Sequence, residues 1–91
     1  MNIETKIFKM IADILNHRYE NKTLVIVAHI IGERVYSIPI KSIRAIDGYD
    51  ISDQYDFPSP IYEMMIKYKS GLKTYIIHQI LFQEIIDIYI K

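Results

Sequence analysis

The chain has 91 residues, of which 51% are hydrophobic, and its 11 basic and 11 acidic side chains give a formal net charge of zero. This balance excludes the overall basic surface expected of a simple nucleic-acid-binding protein. The lack of cysteine excludes a disulfide framework, thiol chemistry and a thiolate metal site. The length is that of one small domain, which we place at residues 1–91.

Composition also bears on compartment and origin. The cysteine-free sequence fits the cytoplasm, and residues 1–10 lack the apolar core of a secretory leader. The apolar run at residues 24–31 is interrupted by His29 and is too short to cross a bilayer, so we expect no membrane association. Ile occurs 21 times, and Lys outnumbers Arg by eight to three. Because these choices follow AT-rich codons, we expect the source to be a phage, a virus or an AT-rich microbe.

The first predicted elements are a helix and two strands. Asn2 is a suitable N-cap, and apolar residues at helical spacing predict a helix over residues 3–16. Residues 23–31 are rich in Val and Ile, which is typical of a buried strand. A second strand is predicted over residues 34–38. Pro39 belongs at a strand end or a sheet edge because it cannot donate a ladder hydrogen bond.

The middle of the chain is predicted to be less regular. A short strand is expected over residues 43–46, and Asp47-Gly48 is a turn signal. Residues 50–60 contain two prolines, two serines and three aspartates, which predicts a loop. A loop of this length in so small a domain is often mobile or functional.

Residues 61–77 predict a β-hairpin. Apolar and polar side chains alternate over residues 61–69, Ser70-Gly71 suits a tight turn, and residues 72–77 form the returning strand. With Ser70 and Gly71 as the two loop residues, the apolar faces of the two strands coincide. This register places Tyr68 opposite Lys73, Ile66 opposite Tyr75 and Met64 opposite Ile77.

The last residues change to helical periodicity. From residue 78 onwards one broad side is apolar and the other polar, which predicts an amphipathic C-terminal helix docked on the sheet. The apolar side consists of Leu81, Phe82, Ile85, Ile86, Ile88 and Tyr89. The predicted fold class is therefore α+β. We expect an antiparallel sheet, or a partly open small barrel, of about five strands with an N-terminal and a C-terminal helix.

The small size of the domain bears on its oligomeric state. A chain this short buries only roughly 60–65% of the surface that its unfolded form exposes. A small domain with much apolar surface often covers part of it with a second subunit, so we expect a homodimer or a higher oligomer. Met64 and Met65 face opposite sides of their strand, and one of them must therefore contact either a covering helix or another subunit.

An acidic segment with interleaved aromatic residues is the first candidate binding surface. No Lys or Arg occurs between Arg44 and Lys67, so this part of a neutral chain carries local negative charge. It could bind a basic protein partner or imitate a nucleic-acid backbone. Ca²⁺ binding is a further interpretation, but the spacing and the glycine position differ from an EF-hand loop. The ordinary alternative is a solvated loop that uses Asp in its turns. The candidate residues are Asp47, Tyr49, Asp50, Asp53, Tyr55, Asp56 and Phe57.

The tip of the predicted hairpin is the second candidate surface, and its charge is opposite. Lys67, Lys69 and Lys73 lie there beside Tyr68 and Tyr75. Such an arrangement can bind single-stranded nucleic acid through phosphate contacts and stacking. Lysines on exposed strands also prevent edge-to-edge pairing, which is the competing explanation. The alternation turns the tyrosines toward the core, and this weakens the nucleic-acid interpretation.

The sequence lacks the common catalytic and metal-binding patterns. None of the motifs GxSxG, GxxxxGK(S/T), HExxH and GxGxxG occurs. His17, His29 and His78 share no ligand-like spacing. We therefore interpret each histidine as structural, and we expect no enzyme activity, no metal and no cofactor.

The expected function is that of a non-enzymatic interaction or regulatory protein, for example an inhibitor or adaptor, that binds another protein. The acidic segment is the favoured surface because charge is locally segregated in a chain of zero net charge. The alternatives are a small nucleic-acid-binding regulator that uses the three hairpin lysines, and a structural subunit of an oligomeric assembly.

Overall fold

The computed structural model describes residues 2–91, and its first element is the predicted helix. α1 spans Ile3–Leu15, and the Asn2 side chain accepts a hydrogen bond from the Thr5 amide at 2.8 Å. The cap and the apolar spacing are both local signals, which is why the sequence alone predicts this helix. The buried residues on its inner face are Ile7, Ile11 and Ile14.

The other regular elements of the described residues are six strands, one short helix and two 3-10 turns. The strands are β1 (Thr23–His29), β2 (Glu33–Pro39), β3 (Ile43–Asp50), β4 (Tyr62–Ser70), β5 (Lys73–Leu81) and β6 (Ile85–Ile90). A second, four-residue helix, α2 (Ser52–Tyr55), lies between β3 and β4. Two short 3-10 turns, the first corner (Ile40–Ser42) and the second corner (Phe82–Glu84), follow β2 and β5. Neither α-helix has the length and apolar content needed to cross a membrane.

The strands form two antiparallel sheets that are joined at the two corners. One sheet has the order β2-β1-β6 and the other has the order β3-β4-β5. The first corner carries β2 into β3, and the second corner carries β5 into β6. The chain therefore makes a circuit through all six strands, because β6 returns to pair with β1. A small α+β fold with antiparallel sheets is confirmed, with six strands rather than about five.

The predicted C-terminal helix is wrong, and a β-bulge explains the error. Residues 78–90 complete β5, turn at the second corner and return as β6. The pairing of β6 with β1 skips Ile86, which is an extra residue between Ile85 and Asp87. The fully inward positions of β6 are consequently Ile85 and Ile88, which have the spacing of one helical face. Because of this bulge, the buried residues of β6 are spaced as on a helix although they belong to a strand.

The hairpin of β4 and β5 is confirmed, but its turn lies one residue later than predicted. Gly71, with φ of 62°, and Leu72 form the turn, so Ser70 pairs with Lys73. The partner of each β4 residue is therefore displaced by two positions, and such a displacement keeps the same face inward. A bulge beside Gln79, with φ of 68°, displaces the last pairs again. The observed pairs include Tyr68 with Tyr75, Ile66 with Ile77 and Met64 with Ile80.

β3 is longer than predicted, and the Asp47-Gly48 turn signal lies inside it. The strand runs to Asp50, and Gly48 lies opposite Met64 in the sheet. A Cβ atom on Gly48 would lie 2.6 Å from Cζ of Phe82. The glycine is needed because an aromatic ring occupies the space of its side chain, and the chain does not reverse there.

α1 packs against both sheets, through β6 of one and β3 of the other. Phe8 of α1 contacts the rings of Tyr62 and Phe82, with centroid distances of 5.1 Å to each. Aromatic edges thus seal the end of the core near the second corner. The remaining core is almost wholly aliphatic. It contains Ile7, Ile11, Ile14, Leu24, Ile26, Ala28, Ile38, Ile40, Ile46, Met64, Ile66, Ile80, Ile85 and Ile88.

Candidate functional site

Two of the predicted acidic-segment residues, Asp47 and Tyr49, lie on the outer face of β3. The Tyr49 hydroxyl donates a hydrogen bond to Oε1 of Glu63 on the neighbouring strand at 2.7 Å. This bond raises the pKa of Tyr49 above its ordinary value, because the proton is held by a carboxylate. Tyr49 is therefore engaged within the sheet, whereas Asp47 is exposed.

Asp50 has a structural task. Its Oδ1 accepts hydrogen bonds from the amides of Ser52 at 2.8 Å and Ile61 at 3.3 Å. These two donors stand at the beginning and the end of the segment between β3 and β4, so one carboxylate ties its ends together. The bonds from Ser52 and Ile61 also lower the pKa of Asp50, because they favour the charged form.

The remaining four predicted residues form the exposed part of this segment. Asp53 and Tyr55 belong to α2, and Asp56 ends it in a left-handed conformation with φ of 58°. Tyr55 and Phe57 are 63% and 51% exposed, and their ring centroids lie 6.3 Å apart. The two rings thus form a small apolar patch that is open to solvent.

These rings line an open groove of about 540 Å³, which we call the acidic groove. Its charged lining residues are Glu63 and Glu84, and no lysine, arginine or histidine lines it. Asp53 and Asp56 add exposed carboxylates beside it on the same segment. The groove thus combines apolar contact area with negative charge. Its lining residues are Ile51, Gln54, Tyr55, Phe57, Ile61, Glu63, Gln79, Leu81, Gln83 and Glu84.

Half of the acidic groove comes from residues outside the predicted acidic segment. Leu81, Gln83 and Glu84 come from β5 and the second corner, which were assigned to the incorrect C-terminal helix. Glu84 stabilises the corner, because its Oε1 accepts a hydrogen bond from the Leu81 amide at 2.9 Å. Only the strand-like content of Ile and Tyr after residue 84 could have indicated that the chain returns here as a strand.

The structure does not bring the three hairpin lysines onto one face. Lys67 and Lys69 lie on the outer face of the hairpin, because they alternate with the inward residues of β4. Lys73 pairs with Ser70 and therefore lies on the opposite face. Tyr68 and Tyr75 stack across the strands with a centroid distance of 5.4 Å, and Tyr75 remains 44% exposed. The stacked tyrosines therefore share a face with Lys73 alone.

The histidines are also well separated. His17 contacts Oε1 of Glu20 at 3.0 Å, and His29 and His78 are exposed on different sheets. Within residues 2–91, no group of three His, Asp or Glu side chains is placed to hold a metal ion.

β5 presents an unpaired edge. Among the described residues it pairs with β4 alone, and every side chain of residues 73–79 except Ile77 is exposed. Ile76 is 58% exposed, and Leu72 at the hairpin tip is fully exposed. A strand edge of this kind offers a row of backbone donors and acceptors to another chain. Met65 lies nearby on the outer face of β4, while Met64 belongs to the core.

Comparison of the chain with protein-family models, with curated proteins and with solved structures gave no match.

Proposed function

We propose that the protein is a non-enzymatic, cytoplasmic interaction protein that binds a protein partner through the acidic groove. One observation carries this proposal. Tyr55 and Phe57 stand exposed at a groove whose charged lining residues are all carboxylates. Aromatic side chains that become buried on binding contribute most of the energy of many interfaces.

The groove indicates the chemistry of its partner. A segment with apolar side chains would bury the Tyr55 and Phe57 rings, and flanking Lys or Arg residues would meet Glu63, Glu84 and the exposed Asp53. Rings supply affinity through desolvation, while charges at the periphery mainly increase the association rate. The partner is therefore a basic, amphipathic segment, and its binding weakens as salt is added.

The test is affinity capture with the wild type and a Tyr55→Ala/Phe57→Ala double variant. We expect the double variant to lose a partner that the wild type retains, with affinity reduced at least about tenfold. The control is Ile31→Ala/Leu72→Ala, which removes apolar side chains that are even more exposed, at 89% and 100%, from the two hairpin tips. Capture that is unchanged in the double variant, or lost equally in the control, contradicts this function.

Self-association is a second proposal, and it rests on the free edge of β5. Residues 74–77 of this edge carry no charge. An antiparallel contact between the β5 strands of two copies would extend each three-stranded sheet to six strands and would bring the two Ile76 side chains close together. Such a two-fold contact uses the same surface on both copies and closes after two.

Light scattering across a dilution series tests this dimer. We expect a dimer for the wild type and a monomer for Ile76→Lys, because a charged edge side chain opposes strand pairing. The control is Val35→Lys, which places the same charge at a similarly exposed position on β2. A monomeric wild type, or dissociation caused by Val35→Lys alone, would exclude the β5 contact.

A further inference from the structure

A second groove lies between α1, the segment after it, and the end of β6. Its volume is about 740 Å³. We call it the basic groove and define it by Lys6, Lys9, Tyr19, Lys22 and Tyr89, all of which line it. No sequence pattern indicates these residues as a binding site, because they come from three separate parts of the chain and meet only in the fold.

Positive charge is in excess in the basic groove. Lys6 is paired with Asp87 at 2.9 Å, and the lining residue Asp13 is paired with Arg18 at 3.5 Å. Lys9 and Lys22 are exposed and have no carboxylate partner among residues 2–91. Two ammonium groups therefore remain free to meet an anion.

The aromatic side of the groove is held in place by its backbone. Tyr19 has φ of 62°, a left-handed conformation that is unfavourable for a bulky residue. The Lys22 amide donates to the Tyr19 carbonyl at 2.9 Å, and the Lys22 carbonyl accepts from the Ile40 amide at 2.9 Å. The turn is thus anchored to the first corner. Strained backbone that is held by its surroundings is typical of binding positions.

Both tyrosines of the groove keep open ring surface. Tyr19 and Tyr89 are each 40% exposed, one on the turn after α1 and the other on β6. Tyrosine rings and free lysines that line one groove form the combination that holds a flat base by stacking and its phosphate by charge. The volume also lies in the range of sites that hold small organic ligands.

We propose that the basic groove binds a nucleotide unit, with its base against Tyr19 or Tyr89 and its phosphate between Lys9 and Lys22. This site is separate from the acidic groove and does not depend on the protein-binding function. It also differs from the three hairpin lysines, which lie on two faces. The zero net charge of the chain conceals it, because the opposite charges lie in different grooves.

Fluorescence anisotropy with a labelled oligothymidine at low salt is the direct test. We expect saturable binding that weakens steeply with salt, because bound phosphates release counterions. The Lys9→Gln/Lys22→Gln variant should bind about tenfold more weakly, and Tyr19→Leu should also lose affinity through lost stacking. The control is Lys67→Gln/Lys69→Gln, which removes the same charge from the hairpin and should retain binding.

Competition identifies the source of the nucleotide. Displacement of the probe by free mononucleotides assigns the groove to a soluble nucleotide, whereas displacement by oligonucleotides alone assigns it to a single strand. Circular dichroism of each variant confirms that the fold is kept, and Tyr89→Leu replaces Tyr19→Leu if the turn unfolds. The proposal is overturned if the wild type does not bind, if the control loses as much affinity as Lys9→Gln/Lys22→Gln, or if polyglutamate displaces the probe better than any nucleotide does.

Discussion

The acidic groove and the basic groove carry opposite charges, and the two sets of charges differ in how far they are engaged by the fold. Around the acidic groove the carboxylates accept hydrogen bonds that hold the chain together. These carboxylates are Asp50, which closes the α2 segment, Glu63, which binds Tyr49, and Glu84, which fixes the second corner. In the basic groove, Lys9 and Lys22 form no ion pair within the described part of the chain.

This difference separates stability from binding. Carboxylates that accept hydrogen bonds from the chain stabilise the fold, so removing them should lower stability before it alters partner binding. Free lysines contribute little to folding, so removing them should alter ligand binding alone. Both grooves therefore offer rings to a ligand, but the charges of the acidic groove are largely engaged in the fold, whereas Lys9 and Lys22 of the basic groove are free to bind.

The substitution Phe82→Ala should disrupt both grooves, because the Phe82 ring supports both of them. Its ring lies in the second corner beside the acidic groove and packs against Phe8 of α1. The same helix contributes Lys6 and Lys9 to the basic groove. Phe82 is almost completely buried. We expect a loss of about 3–5 kcal/mol in the free energy of unfolding, measured by urea denaturation. Phe82→Leu should cost less, and a loss below about 1 kcal/mol for Phe82→Ala would contradict this role.

The substitution Gly48→Ala tests the same contact from the opposite strand. The new methyl group would meet Phe82 at 2.6 Å and Phe8 at 3.1 Å. We expect a loss of about 1–3 kcal/mol through overpacking, measured in the same way. Combining Gly48→Ala with Phe82→Leu should cost less than the sum of the single changes, since the smaller side chain makes room. Simple additivity would show that the ring is not what excludes the methyl group.

The contribution of Asp50 to the stability of the fold should depend on pH. Its folded-state pKa is lowered from 3.8, mainly by the hydrogen bonds from Ser52. Its stabilisation is therefore complete above the unfolded-state pKa and is lost as the pH falls through the lower, folded-state pKa. Thermal unfolding should show a higher midpoint for the wild type than for Asp50→Asn at pH 7, with the difference shrinking in acid. Asp50→Ala, which also removes the acceptor, should be less stable than Asp50→Asn at neutral pH.

The smallest expected effect concerns Lys6, the one lysine of the basic groove with a partner in the fold. The Lys6–Asp87 bond lowers the pKa of Asp87, but both side chains are well exposed. Lys6→Met should therefore cost only about 0.2–1 kcal/mol at low salt, and less at high salt. Denaturation at two salt concentrations measures this change. A larger, salt-independent loss would place Lys6 among the structural charges.

The parts of the fold that sequence predicted correctly are those with local signals. α1 has its cap at Asn2 and its apolar face within one segment, and β2 ends at Pro39 as expected. The inward face of the hairpin was predicted correctly although its turn was not, because a displacement of two residues preserves the alternation of side chains. β6 was mistaken for a helix because its bulge at Ile86 depends on the pairing with β1, which no local pattern reports.

The candidate sites follow the same division. Tyr55 and Phe57 were found because they interrupt an acidic run within one short segment. Glu63 and Glu84 were missed because only the pairing of β3 with β4 and the second corner bring them to the groove. The basic groove was missed completely, since its lysines lie singly among helical and turn residues. Spatial convergence of distant side chains, unlike periodicity, leaves no trace in local sequence.

The position of β1 has a consequence for how the molecule is made. One edge of β1 pairs with β2, its immediate neighbour in the chain, but its other edge pairs with β6. The amide and carbonyl of Thr23 also pair with those of Lys91, at 3.1 and 2.9 Å. A nascent chain can form the first hairpin early, yet β1 keeps an open flank with Leu, Val and Ile side chains until β6 is available to pair with it. Translation pauses before that point should therefore promote aggregation, and chaperones would find their target in β1.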